Sequence, residues 1–464
     1  MLFERFDVAG LAHFSYGLGC PAAGEAVIVD PERWVDRYLD WSAAQGLRIA
    51  HVLETHIHAD YASGARELAE RSAADLHLSA YDEGEIFEVA FPHGKLRDGE
   101  RLACGGVELE VLYTPGHTPE HLAFLVRENG SASHLLSGDF LFVGSVGRPD
   151  LLGDEHAPGL ARRLFASVRE KLTGLSDGLA ICPAHGAGSM CGGGMASASS
   201  STLGAERASN PYLDPRLSED AFVARLLAGV PPRPAYYARM KRLNSEGPAP
   251  TGALPAPEAL PPGDLRDRVR RGAVVVDLRA PTRFGSGHVP GSLGIGLGPD
   301  LAVWGSWVLP YDRPLLLVAD GDETVKEARA WLARVGLDAV EGYLDGGIAA
   351  WQEAGLELRR LDAIDPMTLA GRLRGGDVRL LDVRGDEEWA GGRIPGAIHI
   401  MAEEFPSRLD ELAADEAELA VVCAGGYRST VAGSLLLRAG VRRVLNVEAG
   451  VTGWIRAGLP IERA

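Results

Sequence analysis

The N-terminal half of the chain alternates short apolar runs with amphipathic stretches. Runs such as EAVIVDP, IAHVLETH and VELEVLYTPGH have the length of buried strands, whereas GLARRLFASVREKL repeats its apolar residues at helical spacing. Strands that alternate with helices indicate a layered α/β domain, which we expect over residues 1–245. We expect the polar residues that follow the strands to carry the chemistry, because loops at strand ends present functional groups.

The pattern changes after this domain. Residues 246–262 are rich in proline, glycine and alanine and predict an extended, semi-rigid linker. Beyond the linker the sequence repeats itself, because VVVDLRAPTRFGSGHVPGSLGI aligns with RLLDVRGDEEWAGGRIPGAIHI at an offset of 105 residues. Each copy alternates strands with helices, so we expect two small α/β domains of one fold, at residues 263–360 and 362–464.

Composition and charge narrow the classes of function. The 464 residues are 46% hydrophobic and 24% charged, as in globular proteins with sizeable cores. The net charge of -18 disfavours a nucleic-acid partner. No apolar run is long enough for a membrane span, and the N-terminus lacks a signal-peptide pattern, so we expect a soluble cytoplasmic protein whose oligomeric state stays open. An odd number of scattered cysteines fits a reducing compartment: Cys20, Cys104, Cys182, Cys191 and Cys423.

The stretch ETHIHADYASG carries an H-x-H-x-D cluster directly after an apolar strand. It consists of His56, His58 and Asp60, and single candidate ligands follow three later strands, at His117, Asp139 and His185. Imidazole and carboxylate groups are common metal ligands. Any one histidine alone is explained more simply as a structural residue. Four segments that each end in such a residue nevertheless predict one shared metal site at the edge of a sheet sandwich.

This order of ligands resembles the metallo-β-lactamase superfamily over residues 1–245, which implies an αββα sandwich. In its binuclear members one metal takes the first two histidines and the third, and the other takes the Asp-His pair and the last histidine, with the lone aspartate as a bridge. This chain has Tyr61 where the second metal would expect a histidine. The resemblance therefore implies a weakened second site, left with Asp60, His185 and a share of Asp139.

The remaining set of His56, His117 and Asp139 contains two histidines and one carboxylate. Such a facial set suits one non-haem Fe(II) per chain with O2. Zinc, the alternative, lacks redox chemistry and would activate water or polarise a carbonyl. The surrounding sequence looks like the persulfide dioxygenase branch of the superfamily, in which these positions bind mononuclear iron. That resemblance implies that His58, Asp60 and His185 surround the metal and orient ligands and water. For Tyr61 two roles stay open: a hydrogen bond towards bound oxygen, or simply filling the space of the missing second-site ligand.

Three other candidates lie near these ligands. The stretch GSVGRPDL is similar to one near the thiol-substrate pocket of the persulfide dioxygenase branch, which implies substrate binding by Arg148 and Asp150. The alternative for Arg148 is a structural ion pair. Cys191 lies in the glycine-rich stretch GAGSMCGGG, where we expect a flexible loop and either a reactive or a merely exposed thiol. We expect His121 to be structural.

The stretch LAVVCAGGYRST is a buried strand that ends at Cys423, a glycine-containing loop, and a helix that we expect to begin near Ser429. Backbone N-H groups around the sulfur and a helix N-terminus both favour thiolate. With LLDVR and GRIPGAIHI, the C-x4-R loop of Cys423 and Arg428 resembles an active rhodanese domain over residues 362–464. The resemblance implies that Cys423 accepts sulfane sulfur and passes it to a thiophilic acceptor, while Arg428 binds sulfite or thiosulfate. Asp382 and Arg384 are expected to form a structural pair.

The first repeat departs from this pattern at the decisive positions. Asp320 stands where the register expects the cysteine, and Val325 stands where it expects the arginine. Without a thiolate there is no sulfur transfer. We therefore expect residues 263–360 to form a catalytically inactive rhodanese-like domain that serves packing or positioning.

The whole chain resembles the persulfide dioxygenase and rhodanese fusion proteins of bacterial sulfide detoxification. This resemblance implies oxidation of a low-molecular-weight thiol persulfide by O2 to sulfite and thiol, coupled through Cys423 to sulfur exchange between persulfide, sulfite and thiosulfate. The thiol carrier stays open among glutathione, coenzyme A, bacillithiol and mycothiol, as does the direction of the rhodanese step. The alternatives are a glyoxalase II-like zinc thioester hydrolase fused to a sulfurtransferase, and a non-enzymatic sulfur carrier.

Overall fold

The computed structural model describes residues 1–405, 408–409, 412 and 418–463, and the chain divides into two compact units. The first unit comprises Met1–Leu254 with Ala333–Gly336, and the second comprises Pro255–Leu332 with Leu337–Ala464. Within the described residues we find no helix with the length and apolar character needed to cross a bilayer.

The first unit is built from two six-stranded sheets. The first sheet runs in sequence order through β1 (Leu2–Val8), β2 (His13–Cys20), β3 (Glu25–Val29), β4 (Arg48–Leu53), β5 (Asp75–Ser79) and β6 (Gly94–Leu96). Its first three strands are antiparallel, and β3 to β6 are parallel. Helices α1 (Asp36–Ala44) and α2 (Ala65–Ser72) connect the parallel strands.

The second sheet follows along the chain. Its elements, with a small hairpin between them, are β7 (Arg101–Cys104), β8 (Val107–Tyr113), β9 (Leu122–Glu128), β10 (Ser131–Gly138), the hairpin β11 (Leu141–Phe142) and β12 (Ser145–Val146), then β13 (Ala180–Pro183) and β14 (Ser201–Thr202). The order across the sheet is β14-β13-β10-β9-β8-β7. Four helices belong to this half: α3 (Ala157–Lys171), α4 (Leu203–Ser209), α5 (Glu219–Gly229) and α6 (Tyr237–Glu246).

Alternation of side chains along the strands creates the layers of the first unit. In β3, Val27 and Val29 belong to the core between the two sheets, whereas Ile28 belongs to the cluster beneath α1 and α2. In β9, Phe124 faces the inter-sheet core and Leu125 faces the helices of the second half. Helices thus cover both outer faces of the sheet pair, which confirms the predicted αββα sandwich.

The second unit contains two five-stranded parallel sheets with the same connectivity. The first repeat comprises β15 (Glu258–Leu260), α7 (Pro262–Arg270), β16 (Val274–Asp277), α8 (Pro281–Ser286), β17 (Leu293–Gly294), α9 (Asp300–Val308), β18 (Leu315–Val318), α10 (Asp322–Ala333), β19 (Val340–Leu344) and α11 (Gly347–Glu353). Its strand order is β15-β19-β18-β16-β17.

The second repeat matches the first strand for strand. It comprises β20 (Asp362–Ile364), α12 (Pro366–Gly375), β21 (Arg379–Asp382), α13 (Asp386–Gly391), β22 (Ile398–His399), a 3-10 turn (Ala402–Glu404), β23 (Leu419–Val422), α14 (Tyr427–Arg438), β24 (Val444–Val447) and α15 (Gly450–Arg456). The order β20-β24-β23-β21-β22 is that of the first repeat. The prediction of two domains of one fold is confirmed.

The segment predicted as a linker carries structure of its own. Residues 246–262 contain a 3-10 turn at Thr251–Ala253 and strand β15, which pairs in parallel with β19. Both the amide and the hydroxyl of Thr251 donate hydrogen bonds to Glu67 on α2. The composition correctly indicates extended backbone, but pairing with a strand some eighty residues later leaves no local trace in the sequence.

Candidate metal centre and cysteine loop

Three candidate ligands meet where strands of the first unit end. His56 lies in the loop between β4 and α2, His117 lies between β8 and β9, and Asp139 follows β10 directly. Nε2 of His117 is 3.2 Å from Oδ2 of Asp139, and Nε2 of His56 is 3.8 Å from the same oxygen. All three side chains are buried. The fold thus brings together three residues that span more than eighty positions of the sequence, from His56 to Asp139.

These three atoms fit a metal ion. Nε2 of His56, Nε2 of His117 and Oδ2 of Asp139 are buried and have no hydrogen-bond partner among the described residues. A buried polar atom without a partner costs ~1–3 kcal/mol, so three that converge on one point call for a shared ligand. Two nitrogens and one carboxylate oxygen are the donors of a two-histidine, one-carboxylate metal site.

The other nitrogen of each histidine fixes its tautomer. Nδ1 of His117 donates to the carbonyl of Arg148 at 2.8 Å, which leaves a lone pair on Nε2. The hydroxyl of Thr55 donates to Asp30 at 2.9 Å and therefore accepts from Nδ1 of His56, also at 2.9 Å. Both imidazoles thus present an unprotonated Nε2 to the centre, which is the form that binds metal.

The charge states of the cluster also suit a cation. Burial alone would raise the pKa of Asp139, but His185 and His117 beside it hold that pKa well below its usual range. Burial, reinforced by His58, lowers the pKa of His56 well below its ordinary value. A carboxylate and a neutral imidazole are the states in which these groups bind metal without first losing a proton.

A second group of candidate ligands lies beside the first. One ligand atom each of Asp60, His185 and Cys191 lie within 4.8 Å of one another. Nε2 of His185 is 2.7 Å from Oδ2 of Asp60, but the two are not aligned as a hydrogen bond, so both atoms lack a partner in the described part of the chain. Burial alone would lower the pKa of His185, but Asp139 and Asp60 on its two sides raise that pKa well above its ordinary value.

The environment of Cys191 corrects the expectation of an exposed or reactive thiol. Cys191 is fully buried, and burial raises the pKa of its thiol well above the ordinary value. Its Sγ lies 3.7 Å from the hydroxyl of Tyr237 on α6. Gly192 and Gly193 beside it serve close packing, because a Cβ on Gly192 would lie 2.7 Å from the ring of Phe142 and one on Gly193 would lie 2.1 Å from the carbonyl oxygen of Gly229.

His58 and Tyr61 make their polar contacts with residues other than the three candidate ligands. Nε2 of His58 is 3.2 Å from Oδ1 of Asp30 and 3.6 Å from Oε2 of Glu54. The hydroxyl of Tyr61 donates to the carbonyl of Asp30 at 3.2 Å, and its ring packs on His13 with centroids 4.0 Å apart. Tyr61 therefore fills space beside the site, which was the simpler of the two roles open to it.

Sequence reasoning missed Asp30, which organises the loop that carries His56. Asp30 follows β3 in a left-handed conformation with φ of 53°. Its carboxylate accepts from the amide of Thr55 at 2.7 Å and from its hydroxyl at 2.9 Å. The signal available in the sequence was an aspartate before proline at a strand end, which indicates a turn rather than a supporting carboxylate.

Sequence reasoning also missed helix α6, which holds the same loop from the other side. The side-chain amide of Asn244 donates to the carbonyls of His58 and Tyr61, each at 2.8 Å, and its oxygen accepts from the amide of Ser63 at 2.8 Å. The ammonium of buried Lys241 donates to the carbonyl of Ile57 at 2.8 Å. These contacts join residues about 180 positions apart, so no local pattern reveals them.

Arg148 and Asp150 form an internal ion pair. Nε and Nη2 of Arg148 donate to Asp150 at 2.7 and 2.8 Å, Nη1 donates to the carbonyl of Met190 at 2.8 Å, and Nη2 also donates to the carbonyl of Pro231 at 2.9 Å. Arg148 is fully buried. These contacts favour the structural alternative over substrate binding, because they use four of the five N-H donors of the guanidinium inside the protein.

His121 has the structural role expected of it. Its Nε2 accepts from the backbone amide of Asp139 at 3.0 Å, and its Nδ1 lies 2.8 Å from the hydroxyl of Thr114. Burial lowers its pKa to about 3, so the ring is neutral. His121 thereby fixes the backbone of a candidate ligand.

The cysteine loop of the second repeat joins β23 to α14. The amide of Gly426 donates to Sγ of Cys423 at 3.0 Å, and the hydroxyl of Ser429 lies 3.4 Å from the sulfur. Helix α14 begins at Tyr427, two residues before the predicted position, because Gly426 with φ of 110° turns the chain directly into it. Sγ of Cys423 is thus held at the start of a helix.

Arg428 is engaged by a carboxylate. Its Nη1 and Nη2 lie 2.5 and 2.8 Å from the two oxygens of Glu388, which forms a two-pronged ion pair. The hydrogen bonds from Arg428 lower the pKa of Glu388. Asp382 and Arg384 form a second such pair, at 2.9 and 2.7 Å, as the sequence predicts.

The first repeat lacks a thiol at the equivalent position and packs against the Cys423 loop. Asp320 pairs with Arg283, and Val325 is buried. The hydroxyl of Tyr427, inside the C-x4-R loop, donates to the carbonyl of Gly296 in the first repeat at 3.0 Å. The first repeat therefore supports the start of α14.

Comparisons with known proteins agree with this architecture. Residues 12–190 match the Metallo-beta-lactamase superfamily, and residues 261–354 and 365–457 each match the Rhodanese-like domain. A metallo-beta-lactamase from Staphylococcus aureus subsp. aureus COL is 32% identical, with a TM-score of 0.66 over 74% of this chain and 98% of that one. The hydroxyacylglutathione hydrolase GloC of Haemophilus influenzae is 29% identical over 206 residues, 41% of this chain and 87% of that protein.

A further solved structure, ETHE1 from Myxococcus xanthus, is 26% identical and covers 53% of this chain and 98% of its own, with a TM-score of 0.45. The chain belongs to the metallo-β-lactamase superfamily. It carries that fold in its N-terminal part, followed by two rhodanese-like domains.

Proposed function

We propose that this protein is a persulfide dioxygenase coupled to a rhodanese sulfurtransferase. The observation that carries the proposal is the convergence of three buried, unpartnered donor atoms, from His56, His117 and Asp139, in a chain that also holds Cys423 in a rhodanese loop. Two imidazoles and one carboxylate suit a single Fe(II). The rhodanese loop handles sulfane sulfur, and a persulfide is the substrate class that both parts would share.

The proposed oxidation balances as RSS⁻ + O2 + H2O → RSH + SO3²⁻ + H⁺. His56, His117 and Asp139 would hold the iron, which would supply the redox chemistry for the oxidation of the terminal sulfur by O2. The surrounding residues orient the candidate ligands and fix where their protons lie. Thr55 and the carbonyl of Arg148 keep both imidazoles in the metal-binding tautomer.

Groups that can hold and accept protons lie beside the three candidate ligands, as a reaction that consumes water requires. His185 lies between two carboxylates, with Nδ1 2.7 Å from Oδ1 of Asp139 and Nε2 2.7 Å from Oδ2 of Asp60. Burial alone would raise the pKa of Asp60, but His185 lowers it, so this carboxylate is ionised. We assign Asp60 the role of orienting the water that enters sulfite, and His185 the role of holding a proton next to it.

The sulfurtransferase step uses Cys423. Its thiolate takes the outer sulfur of RSS⁻ and releases RS⁻, and the resulting cysteine persulfide passes that sulfur to SO3²⁻ to give S2O3²⁻ and the free thiolate. The reverse sequence has the same balance. The amide of Gly426 at 3.0 Å and the hydroxyl of Ser429 at 3.4 Å stabilise negative charge on the sulfur in either direction.

A second candidate function is a zinc thioester hydrolase fused to the sulfurtransferase. The group of Asp60, His185 and Cys191 favours it, because its donor atoms would suit a second ion and Asp139 lies between the two groups. The similarity to hydroxyacylglutathione hydrolase GloC points the same way. Against it, Tyr61 replaces the histidine of a binuclear site and directs its hydroxyl to the backbone of Asp30.

The experiment that tests the proposed function measures one reactant and two products in the same reaction. The protein is loaded anaerobically with Fe(II), a low-molecular-weight persulfide is added with O2, and O2, sulfite and thiosulfate are measured together. We expect the wild type to consume O2 and Cys423→Ser to retain O2 uptake but lose thiosulfate formation. His117→Ala should lose O2 uptake, whereas His134→Gln, a half-buried histidine on β10, should not.

Three outcomes would contradict the proposal. Normal O2 uptake by His117→Ala would remove that residue from the metal site. Two tightly bound zinc ions per chain, with hydrolysis of an acyl-glutathione and no O2 uptake in the iron-loaded protein, would establish the hydrolase instead. A complete lack of O2 uptake and hydrolysis, with persulfide retained on Cys423, would indicate a non-enzymatic sulfur carrier.

A further inference from the structure

A third group of metal-ligating side chains lies in the first sheet, apart from the centre described above. In the parallel pair of β4 and β5, His51 is the register partner of Asp75 and Leu53 is the partner of His77. Because side chains alternate along a strand, His51, Asp75 and His77 project from one face of the sheet. One ligand atom from each lies within 4.8 Å of the others.

The distances within this group match those around a bound ion. Nδ1 of His51 is 3.2 Å from Nε2 of His77 and 4.0 Å from Oδ2 of Asp75. Zinc bonds of ~2.0–2.1 Å in a tetrahedron place two ligand atoms ~3.3 Å apart, so the two nitrogens already stand at ligand spacing. The side chain of Asp75 is 79% exposed and is free to move the remaining distance. The simpler explanation is an N-H···N hydrogen bond between the two rings.

The surroundings leave room and charge for a cation. Gly94 is the register partner of His77 on β6, and a Cβ there would lie 2.5 Å from Nδ1 of His77, so glycine makes space for the ring. The carboxylates of Asp75 and Glu100 contribute negative potential beside His77.

We propose that His51, Asp75 and His77 form a separate site for a divalent transition-metal ion, with Zn²⁺ as the occupant. Two imidazole nitrogens and one carboxylate oxygen are a common zinc donor set, and water completes the tetrahedron. The ion would replace the hydrogen bond between the rings after one of them changes tautomer. Because its ligands come from two neighbouring strands, it would fasten β4, which leads to His56, to β5. This site does not depend on the function proposed above.

The experiment counts zinc ions. Metal-free full-length protein is titrated with Zn²⁺ against a chromophoric chelator, and thermal unfolding is recorded with and without the ion. His51→Gln and His77→Gln remove one ligand each, Asp75→Asn removes the exposed carboxylate, and His134→Gln is the matched control. We expect the wild type and the control His134→Gln to bind one more equivalent of zinc than His51→Gln or His77→Gln. We expect Asp75→Asn to hold that equivalent more weakly.

Other sites in the chain do not disturb this comparison, because they are unchanged in all five proteins. Zinc should also raise the melting temperature of the wild type further than that of His51→Gln or His77→Gln. Equal zinc stoichiometry in all five proteins would overturn the proposal and leave a hydrogen bond between the rings. If the histidine variants fail to fold, Asp75→Asn decides alone, since an exposed side chain is not needed for folding: unchanged zinc affinity in that variant would also overturn it.

Discussion

The ion pair between Glu388 and Arg428 makes a specific prediction for sulfur transfer. The rhodanese resemblance assigns the guanidinium of Arg428 to binding sulfite or thiosulfate. In the structure this guanidinium donates hydrogen bonds to both carboxylate oxygens of Glu388. An anionic substrate must therefore compete with this carboxylate. Glu388→Gln removes the competing charge and leaves a side chain of the same shape, so we expect the Michaelis constant for thiosulfate to fall.

The magnitude follows from the exposure of the pair. The side chains of Arg428 and Glu388 are 24% and 40% exposed, so solvent screens the interaction strongly. Pairs of this kind contribute ~0.2–1 kcal/mol, and the two-pronged geometry places this one towards the upper end. Release of that energy to the substrate corresponds to a roughly 1.4- to 5-fold decrease in KM. We expect kcat to change less, because Glu388 does not contact the sulfur of Cys423 in this structure.

The assay is thiosulfate:cyanide sulfurtransferase activity at constant ionic strength. The matched control is Glu387→Gln, which removes the same charge one residue away, where the described residues show no ion pair. We expect Glu387→Gln to change KM by less than Glu388→Gln does. An unchanged or increased KM in Glu388→Gln would refute the reasoning, because it would mean that Arg428 does not bind the anion or needs Glu388 to orient it.

Two further predictions concern stability. Asn244→Ala leaves the buried carbonyls of His58 and Tyr61 and the part-buried amide of Ser63 without a partner. Since each buried group costs ~1–3 kcal/mol, this substitution should lower the free energy of unfolding by about 2 kcal/mol or more, against less than about 1 kcal/mol for the neighbouring Ser245→Ala. Equal losses in urea titrations would contradict this. Burial raises the pKa of Cys182 from 9.0 to about 12, so the folded state keeps a thiol proton that the unfolded chain loses. The contribution of this thiol to the free energy of unfolding is complete below pH 9 and declines as pH rises towards 12. Cys182→Ala should therefore flatten the decline of the free energy of unfolding between pH 8 and 10.5.

Local sequence was sufficient to locate the candidate ligands. His56, His117, Asp139 and His185 each follow an apolar strand, and strand ends are recognisable from a few residues of pattern. The ligand set stays a prediction, but the structure does bring these four residues together. The repeat was equally visible, because two copies of one fold must keep the same apolar positions and turns.

Support for the site was not visible in the sequence. Asn244 and Lys241 reach the His56 loop from a helix about 180 residues later, and a side chain that supports a distant backbone group leaves no periodic signal. The glycines around Cys191 were interpreted as flexibility, although Gly192 is there because Phe142 leaves no room for a Cβ. Composition alone does not distinguish a mobile glycine from a crowded one.

The sequence by itself determined the layered α/β class, the repeated domain, the presence of one cysteine loop and its absence from the other copy, whereas the αββα arrangement was implied by the family resemblance. These properties depend on residue type and short-range order, which the chain carries wherever it folds. Only the tertiary structure decided which side chains contact one another. Arg148 pairs with Asp150, Arg428 pairs with Glu388, and the hydroxyl of Thr55 accepts a hydrogen bond from the ring of His56. The reason is that a hydrogen bond depends on positions within a few tenths of an ångström, and packing between distant segments sets those positions.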